Sequence, residues 1–144
     1  REQIGERNAG FSQVRWEQLL KVPVTTLDAL IEEYGEPGFI KIDVEGFEAE
    51  VLAGLSSPVA ALSVEFVSGA LEVNQACVNH LSRLGEYRYN VVAGEQRHFR
   101  WNEWQAPQAI TEWLTTGAKE LPSGDLYACR ADHPLVQNLI PNDV

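Results

Sequence analysis

A short apolar strand that ends in acidic residues and turns directly into a helix constrains the fold of this chain most. The strand is predicted over residues 39–44, where six mostly apolar, β-branched-rich residues are typical of a buried strand. A glycine turn follows it. In the helix beyond, Phe47, Val51 and Leu55 are spaced four apart, so they are predicted to share one apolar face.

A second apolar strand is predicted over residues 61–66, and it also carries an acid near its carboxyl end. Strand, helix and strand fit within about 30 residues, the length of a βαβ unit with parallel strands. Open parallel sheets bind ligands beyond the carboxyl ends of their strands. We therefore expect Asp43, Glu45 and Glu65 to gather at one rim of the sheet, and we predict the functional site there.

The acids of the first strand have both a functional and a structural interpretation. Asp43 and Glu45 have the same parity, so both side chains should leave the sheet on one side. There they would favour a cationic ligand, orient a nucleophile or act as a general base. Alternatively, they cap the following helix, whose amino end favours negative charge. Lys41 is expected to pair with Asp43, and Glu48 and Glu50 are expected to be solvated first-turn acids.

The remaining pattern predicts a mixed α/β domain with three more helices and two more strands. The helices begin after Thr25 or Thr26, at residue 71 and at Pro107, and the strands cover residues 87–92 and 126–130. Residues 96–101 are predicted to form a hairpin with the first of these strands. Trp101, Trp104 and Trp113 lie near that hairpin, where they would either shape a pocket or simply pack in the core.

Composition limits the choice of partners. The formal net charge of −10 argues against a nucleic-acid backbone or an anionic membrane as the main partner. Cys77 and Cys129 lack the spacing of metal ligands, and a reduced, cytoplasmic protein is the simplest interpretation. We expect one domain with a leading segment (1–21), a main body (22–130) and a tail (131–144). The start at Arg1 and the absence of methionine predict that the chain is a piece of a longer protein.

Two stretches together resemble the FkbM-type methyltransferase family. They are Val24-Thr25-Thr26-Leu27-Asp28-Ala29-Leu30 and Phe39-Ile40-Lys41-Ile42-Asp43-Val44-Glu45-Gly46, the latter followed by Glu48, Val51 and Leu52. The resemblance is close over residues 22–66 and looser up to residue 130. It implies the class I, Rossmann-like methyltransferase fold and S-adenosylmethionine as the cofactor, which such enzymes typically use to methylate a hydroxyl oxygen.

The resemblance also implies that the chain supplies the C-terminal half of that fold. Residues 39–44 and 61–66 would be strands four and five, and the last two strands would form an antiparallel edge. The N-terminal half, with its glycine-rich cofactor turn, has no counterpart in the sequence. Asp43, Glu45 and Glu65 would then be the catalytic residues, with Asp43 also binding the cofactor, and the acceptor would be a small molecule such as a sugar or natural product.

Two other functions remain open. The three rim carboxylates would bind a divalent cation in a different class of enzyme. A nucleotide hydrolase is not supported, because the glycines of residues 5–12 lack the lysine of a phosphate loop. A non-catalytic assembly module is the other possibility, in which the unpaired strand edge at residues 39–44 forms a homodimer or pairs with another chain.

Overall fold

A computed structural model describes residues 19–138 of the chain. In chain order the elements are α1 (Leu27–Tyr34), β1 (Ile40–Ile42), α2 (Glu48–Ala53), β2 (Ala61–Val67), α3 (Leu71–Leu84), β3 (Tyr87–Ala93), α4 (Pro107–Thr115), a 3-10 turn (Ala118–Glu120) and β4 (Ser123–Arg130). The glycine stretch over residues 5–12 and the last six residues of the tail lie outside the described part.

The four strands form one open sheet in the order β1-β2-β4-β3. β1 and β2 are parallel, with Ile42 opposite Val64, and α2 connects them, so the predicted βαβ unit is confirmed. β4 lies between β2 and β3 and is antiparallel to both. The architecture is that of a mixed α/β domain, consistent with part of a Rossmann-like methyltransferase fold whose last two strands form an antiparallel edge.

The hydrophobic core lies on one face of this sheet. Leu62, Val64 and Phe66 of β2 are buried in it, together with Leu126 and Ala128 of β4. Side chains from α2, α3 and α4 complete the same cluster. Because successive strand residues point to opposite faces, the residues between these apolar ones belong to a second face. That second face carries polar and aromatic side chains.

The start of α1 is capped locally and is hydrogen-bonded to the segment between α2 and β2. Thr26 is its N-cap, and its Oγ1 accepts a hydrogen bond from the Ala29 N–H at 3.1 Å, as expected for one of the two threonines. The Asp28 carboxylate accepts the Ser56 N–H at 2.8 Å. This hydrogen bonding to Ser56 lowers the pKa of Asp28. The helix ends at Gly35, which has a φ of +93°.

The apolar face predicted for the second helix is only partly correct. Leu55 is buried and Val51 is half-buried, whereas Phe47 is 64% exposed. The helix begins at Glu48, and Phe47 is its N-cap with a non-helical ψ of 17°. Because the preceding turn determines the direction of Phe47, helical periodicity does not apply to this residue.

The predicted hairpin over residues 96–101 is wrong. These residues form no strand, although the Arg100 N–H donates to the Val91 carbonyl at 2.8 Å. At Trp101 the Asn90 side chain makes the hydrogen bonds that a neighbouring strand would make. Its Nδ2 donates to the Trp101 carbonyl at 2.9 Å, and its Oδ1 accepts the Trp101 N–H at 3.2 Å. A single bridge between Tyr89 and Gln105 follows. The segment therefore runs along the edge of β3 without becoming a strand.

Candidate active site at the sheet rim

The predicted rim acids lie in or beside a tight turn that follows β1. The strand ends at Ile42, so Asp43 and Glu45 are not strand residues and the parity expected for them does not apply. Glu45 and Gly46 form the turn with φ values of +49° and +100°. Only glycine adopts such angles without strain, so the turn constrains Glu45. Asp43 and Glu45 are both exposed.

The Glu48 side chain is hydrogen-bonded to the backbone of this turn. Its Oε1 accepts the Gly46 N–H at 3.0 Å and its Oε2 accepts the Val44 N–H at 3.2 Å. The residue is only 2% exposed, so its prediction as a solvated acid is wrong, whereas Glu50 is exposed as expected. Hydrogen bonds to a charged group contribute about 1.5–3 kcal/mol each. Glu48 is therefore the residue that fixes the position of Glu45.

Glu65 lies near the carboxyl end of β2, half-buried and directly opposite Asp125 of β4. Its partial burial raises the pKa of its carboxyl, and the negative charges of Asp43, Asp125, Glu48 and Glu45 raise it further. Like charges directly opposite each other in a sheet are destabilising. The structure thus brings the three predicted acids near one another and adds two more.

Asp125 is a rim residue that the sequence did not predict. Burial raises the pKa of its carboxyl; Lys41 lowers that pKa, and Asp43 and Glu95 raise it. The expected pairing of Lys41 with Asp43 is not formed. Within residues 19–138 the salt bridges join Arg88 to Glu86 and Arg130 to Asp132. The alternation of β4 could have indicated Asp125. Leu126 and Ala128 point into the core, so Asp125 and Tyr127, which alternate with them, point to the other face of the sheet.

A cavity of about 370 Å³ opens at the carboxyl end of β2. It is lined by Glu45, Gly46, Glu48, Glu65, Val67, Ala70, Val73 and Asn74. Asn74 is 1% exposed, and its Nδ2 donates to the Glu65 carbonyl at 3.0 Å, which ties α3 to the end of β2. We refer to this space as the rim cavity. Its lining combines carboxylates with apolar side chains, an environment that suits an organic cation.

A larger cavity of about 770 Å³ lies on the second face of the sheet, between residues 94–104 and β4. Trp104 and Trp101 line it, as the pocket alternative predicts, but Trp101 also packs against the hydrophobic core. Trp113 instead packs in the core, with its ring centroid 5.8 Å from that of Phe66 and 5.2 Å from that of Trp101. We refer to this space as the aromatic cavity.

Comparison with known protein families shows which family the chain belongs to. The Methyltransferase FkbM domain matches residues 2–121, which include β1, β2 and the turn between β1 and α2. The chain belongs to the FkbM methyltransferase family. The resemblance predicted from the two paired motifs is thereby confirmed, and the match extends well beyond residues 22–66. No curated protein and no solved structure matches the sequence significantly.

Two further findings concern the described part of this FkbM domain. Between residues 19 and 138, no three histidine, cysteine or acidic side chains are grouped so that they would hold a metal ion. None of the helices in the same range has the length and apolar character needed to cross a bilayer.

Proposed function

We propose that this chain takes part in S-adenosylmethionine-dependent methyl transfer to a hydroxyl oxygen of a small molecule. The observation that carries the proposal is the meeting of Glu45 and Glu65 in one cavity at the carboxyl ends of two parallel strands in an FkbM domain. Open α/β sheets bind their ligands at that position.

The residues of the rim cavity are chemically compatible with this cofactor. S-adenosylmethionine, when bound, supplies an electrophilic methyl group on a positively charged sulfonium. Glu45 and Glu65 line the cavity and, with nearby Asp43, provide negative charge for a cation. Glu65 is half-buried, which strengthens its attraction to a cation compared with bulk water, whereas Asp43 and Glu45 are exposed. Val67 and Val73 add apolar side chains to the lining of the same cavity.

Within this site the chain mainly positions groups. Glu48 fixes the turn, so Glu45 is held in place before a ligand arrives. Such fixed charges favour a transition state more than mobile ones do, because they need no reorganisation during the reaction. Glu65 is the best candidate to accept the proton of the acceptor hydroxyl, since its raised pKa makes it a stronger base than an ordinary glutamate.

Calorimetric titration of the 144-residue chain with S-adenosylmethionine and with S-adenosylhomocysteine tests this proposal. We expect binding in the micromolar range, tighter for S-adenosylmethionine because only its sulfur is charged. Asp43→Asn and Glu45→Gln should reduce that preference. Asp132→Asn is the matched control, because Asp132 is exposed and lies in the tail. A folded chain that binds neither compound contradicts the proposal for this chain.

We also infer an assembly role for the edge of β1. Among residues 19–138 this edge has no partner strand, and Phe39 and Val44, which flank β1, are exposed. Unpaired edges invite pairing with another chain. Sedimentation velocity should show a homodimer that Phe39→Asp weakens, with Phe99→Asp as the comparison. A monomer at every concentration excludes this role.

A further inference from the structure

The aromatic cavity lies outside the proposed cofactor site. Residues between Gly94 and Trp104 form one wall, and Val92, Asp125 and Tyr127 of the sheet form the other. The FkbM match ends at residue 121, so Asp125 and Tyr127 lie beyond it. Its volume of about 770 Å³ lies within the range of roughly 300–1,000 Å³ that is usual for small-molecule pockets.

Three half-buried aromatic rings form a continuous surface along this cavity. The Phe99 ring lies 5.2 Å from that of Tyr127 at 87°, and 5.0 Å from that of Trp104 at 59°. Edge-to-face and tilted pairs of this kind are the favoured arrangements of aromatic rings. The three rings therefore support one another and present a firm apolar surface to a ligand.

The segment that carries two of these rings is hydrogen-bonded to β3 just after Phe99 and just after Trp104, and the Arg100 N–H donates to the Val91 carbonyl at 2.8 Å. Asn90 is fully buried and binds both the N–H and the carbonyl of Trp101. Further along, Tyr89 and Gln105 exchange two backbone hydrogen bonds of 2.7 and 2.8 Å. Because this wall is already ordered in the free chain, ligand binding does not have to order it, and the binding free energy is more favourable. The cavity is thus preorganised.

Asp125 and Glu65 are opposite each other across β2 and β4, and each lines a different one of the two cavities. Asp125 lines the aromatic cavity, and Glu65 lines the rim cavity. Within residues 19–138 no hydrogen-bond donor contacts the Asp125 carboxylate. The lining of the aromatic cavity also includes Arg97 and His98, so both hydrogen-bond donors and acceptors surround the rings.

We propose that the aromatic cavity binds the methyl acceptor, that this acceptor is a ring-shaped molecule with several hydroxyl groups, and that Asp125 accepts a hydrogen bond from the hydroxyl nearest the rim. The C–H face of such a ring packs on Phe99, Trp104 and Tyr127, while its hydroxyls reach the polar lining. This assignment rests on the proposed function, because only methyl transfer requires a hydroxyl beside the rim cavity.

Nuclear magnetic resonance of the full ¹⁵N-labelled chain tests the assignment without any cofactor. The probes are methyl α-D-glucopyranoside, which is cyclic, and sorbitol, which is acyclic but also rich in hydroxyls. We expect the glucoside to shift the indole N–H signal of Trp104 and the Asp125 amide at millimolar concentrations, and to leave the enclosed Trp113 indole unchanged. Sorbitol should bind about fivefold more weakly, because it has no rigid face to pack on the rings.

Substitution of Asp125 completes the test. Asp125→Asn should weaken glucoside binding about tenfold, the loss expected for one hydrogen bond to a charged group, and Asp132→Asn should not change it. Thermal unfolding of Asp125→Asn, which removes a charge opposite Glu65, is measured alongside, so that a loss of binding is scored only in a folded sample. Absence of a Trp104 shift, equal binding of sorbitol, or an unchanged affinity in Asp125→Asn overturns the assignment. If S-adenosylmethionine still binds in the calorimeter, the proposed function survives that failure.

Discussion

The Glu48 carboxylate accepts the Gly46 N–H at 3.0 Å, and thereby a buried acid in the first turn of α2 fixes the turn that carries Glu45. Its second oxygen accepts the Val44 N–H. A helix-starting acid usually satisfies N–H groups of its own helix. Here the acid bonds backwards to the strand–helix turn, so the rim of the sheet and the start of the helix form one unit.

Glu48→Ala should lower the free energy of unfolding by about 1–3 kcal/mol, because the N–H groups of Val44 and Gly46 lose their acceptor in a partly buried turn. Urea unfolding followed by circular dichroism measures the change. Glu50→Ala, in the same helix turn but exposed, should stay within about 0.5 kcal/mol of the unmodified chain. Equal effects of the two substitutions would contradict the role of Glu48.

Asp125→Asn should stabilise the chain at pH 7 by about 0.2–1 kcal/mol, because it removes one of two like charges that face each other across β2 and β4. The pKa values of Asp125 and Glu65 are both raised above their ordinary values of 3.8 and 4.5. The folded chain therefore binds more protons than the unfolded chain above those values, and it loses stability as the pH rises through this window.

The gain from Asp125→Asn should accordingly shrink as the pH falls towards 4, where these carboxyls become protonated. Thermal unfolding at several pH values follows the difference between the variant and the unmodified chain. Asp132→Asn, which removes an exposed tail charge, should show no such pH-dependent gain. If Asp125→Asn is less stable at pH 7 than the unmodified chain, its attraction to Lys41 outweighs the repulsion and the expected sign is wrong.

Gly124→Ala should destabilise the chain by about 1–3 kcal/mol, the usual cost of overpacking a close-packed interior. A Cβ at this position would lie 2.5 Å from the Val92 carbonyl oxygen and 2.6 Å from the Phe66 ring. Gly69→Ala is the comparison, because no atom lies within 4 Å of its Cβ position. Chemical denaturation of both variants measures the difference, and similar stabilities would show that β3 and β4 adjust more freely than their packing indicates.

Glu120→Gly should stabilise the chain by up to about 1 kcal/mol. Ala118, Lys119 and Glu120 form a left-handed turn with φ values of +53°, +54° and +61°. A residue with a Cβ loses roughly 1–2 kcal/mol in that conformation, and glycine's greater freedom in the unfolded chain offsets only about 0.4–1 kcal/mol. Glu112→Gly, in the interior of α4, should instead destabilise by about 1 kcal/mol. Thermal unfolding distinguishes these opposite signs.

The parts of the fold that depend on local patterns could be predicted from the sequence. The parallel pair β1–β2 followed from two apolar runs with a helix between them, and α3 and α4 followed from their periodicity and from Pro107. The meeting of Glu45 and Glu65 in one cavity followed from the rule that parallel strands end at the same rim.

The parts that depend on backbone angles or long-range register could not be predicted. Glu48 is buried because the preceding turn directs two N–H groups towards it, and residue spacing does not specify those angles. Asp125 faces Glu65 through a register between strands that lie about 60 residues apart in sequence. The predicted hairpin does not form, because the Asn90 side chain is hydrogen-bonded to the backbone N–H and carbonyl of Trp101, which a strand would have paired with β3.

The measurement that tests the central claim most directly is amide-resolved nuclear magnetic resonance of the full chain titrated with S-adenosylmethionine. We expect the largest shifts at the amides of Glu45, Gly46 and Glu65 and at the Asn74 side chain, with those of α4 unchanged. Glu48→Ala should weaken these shifts at equal cofactor concentration. Shifts confined to residues away from the rim cavity, or their absence from a folded sample, would contradict the claim that this rim binds the cofactor.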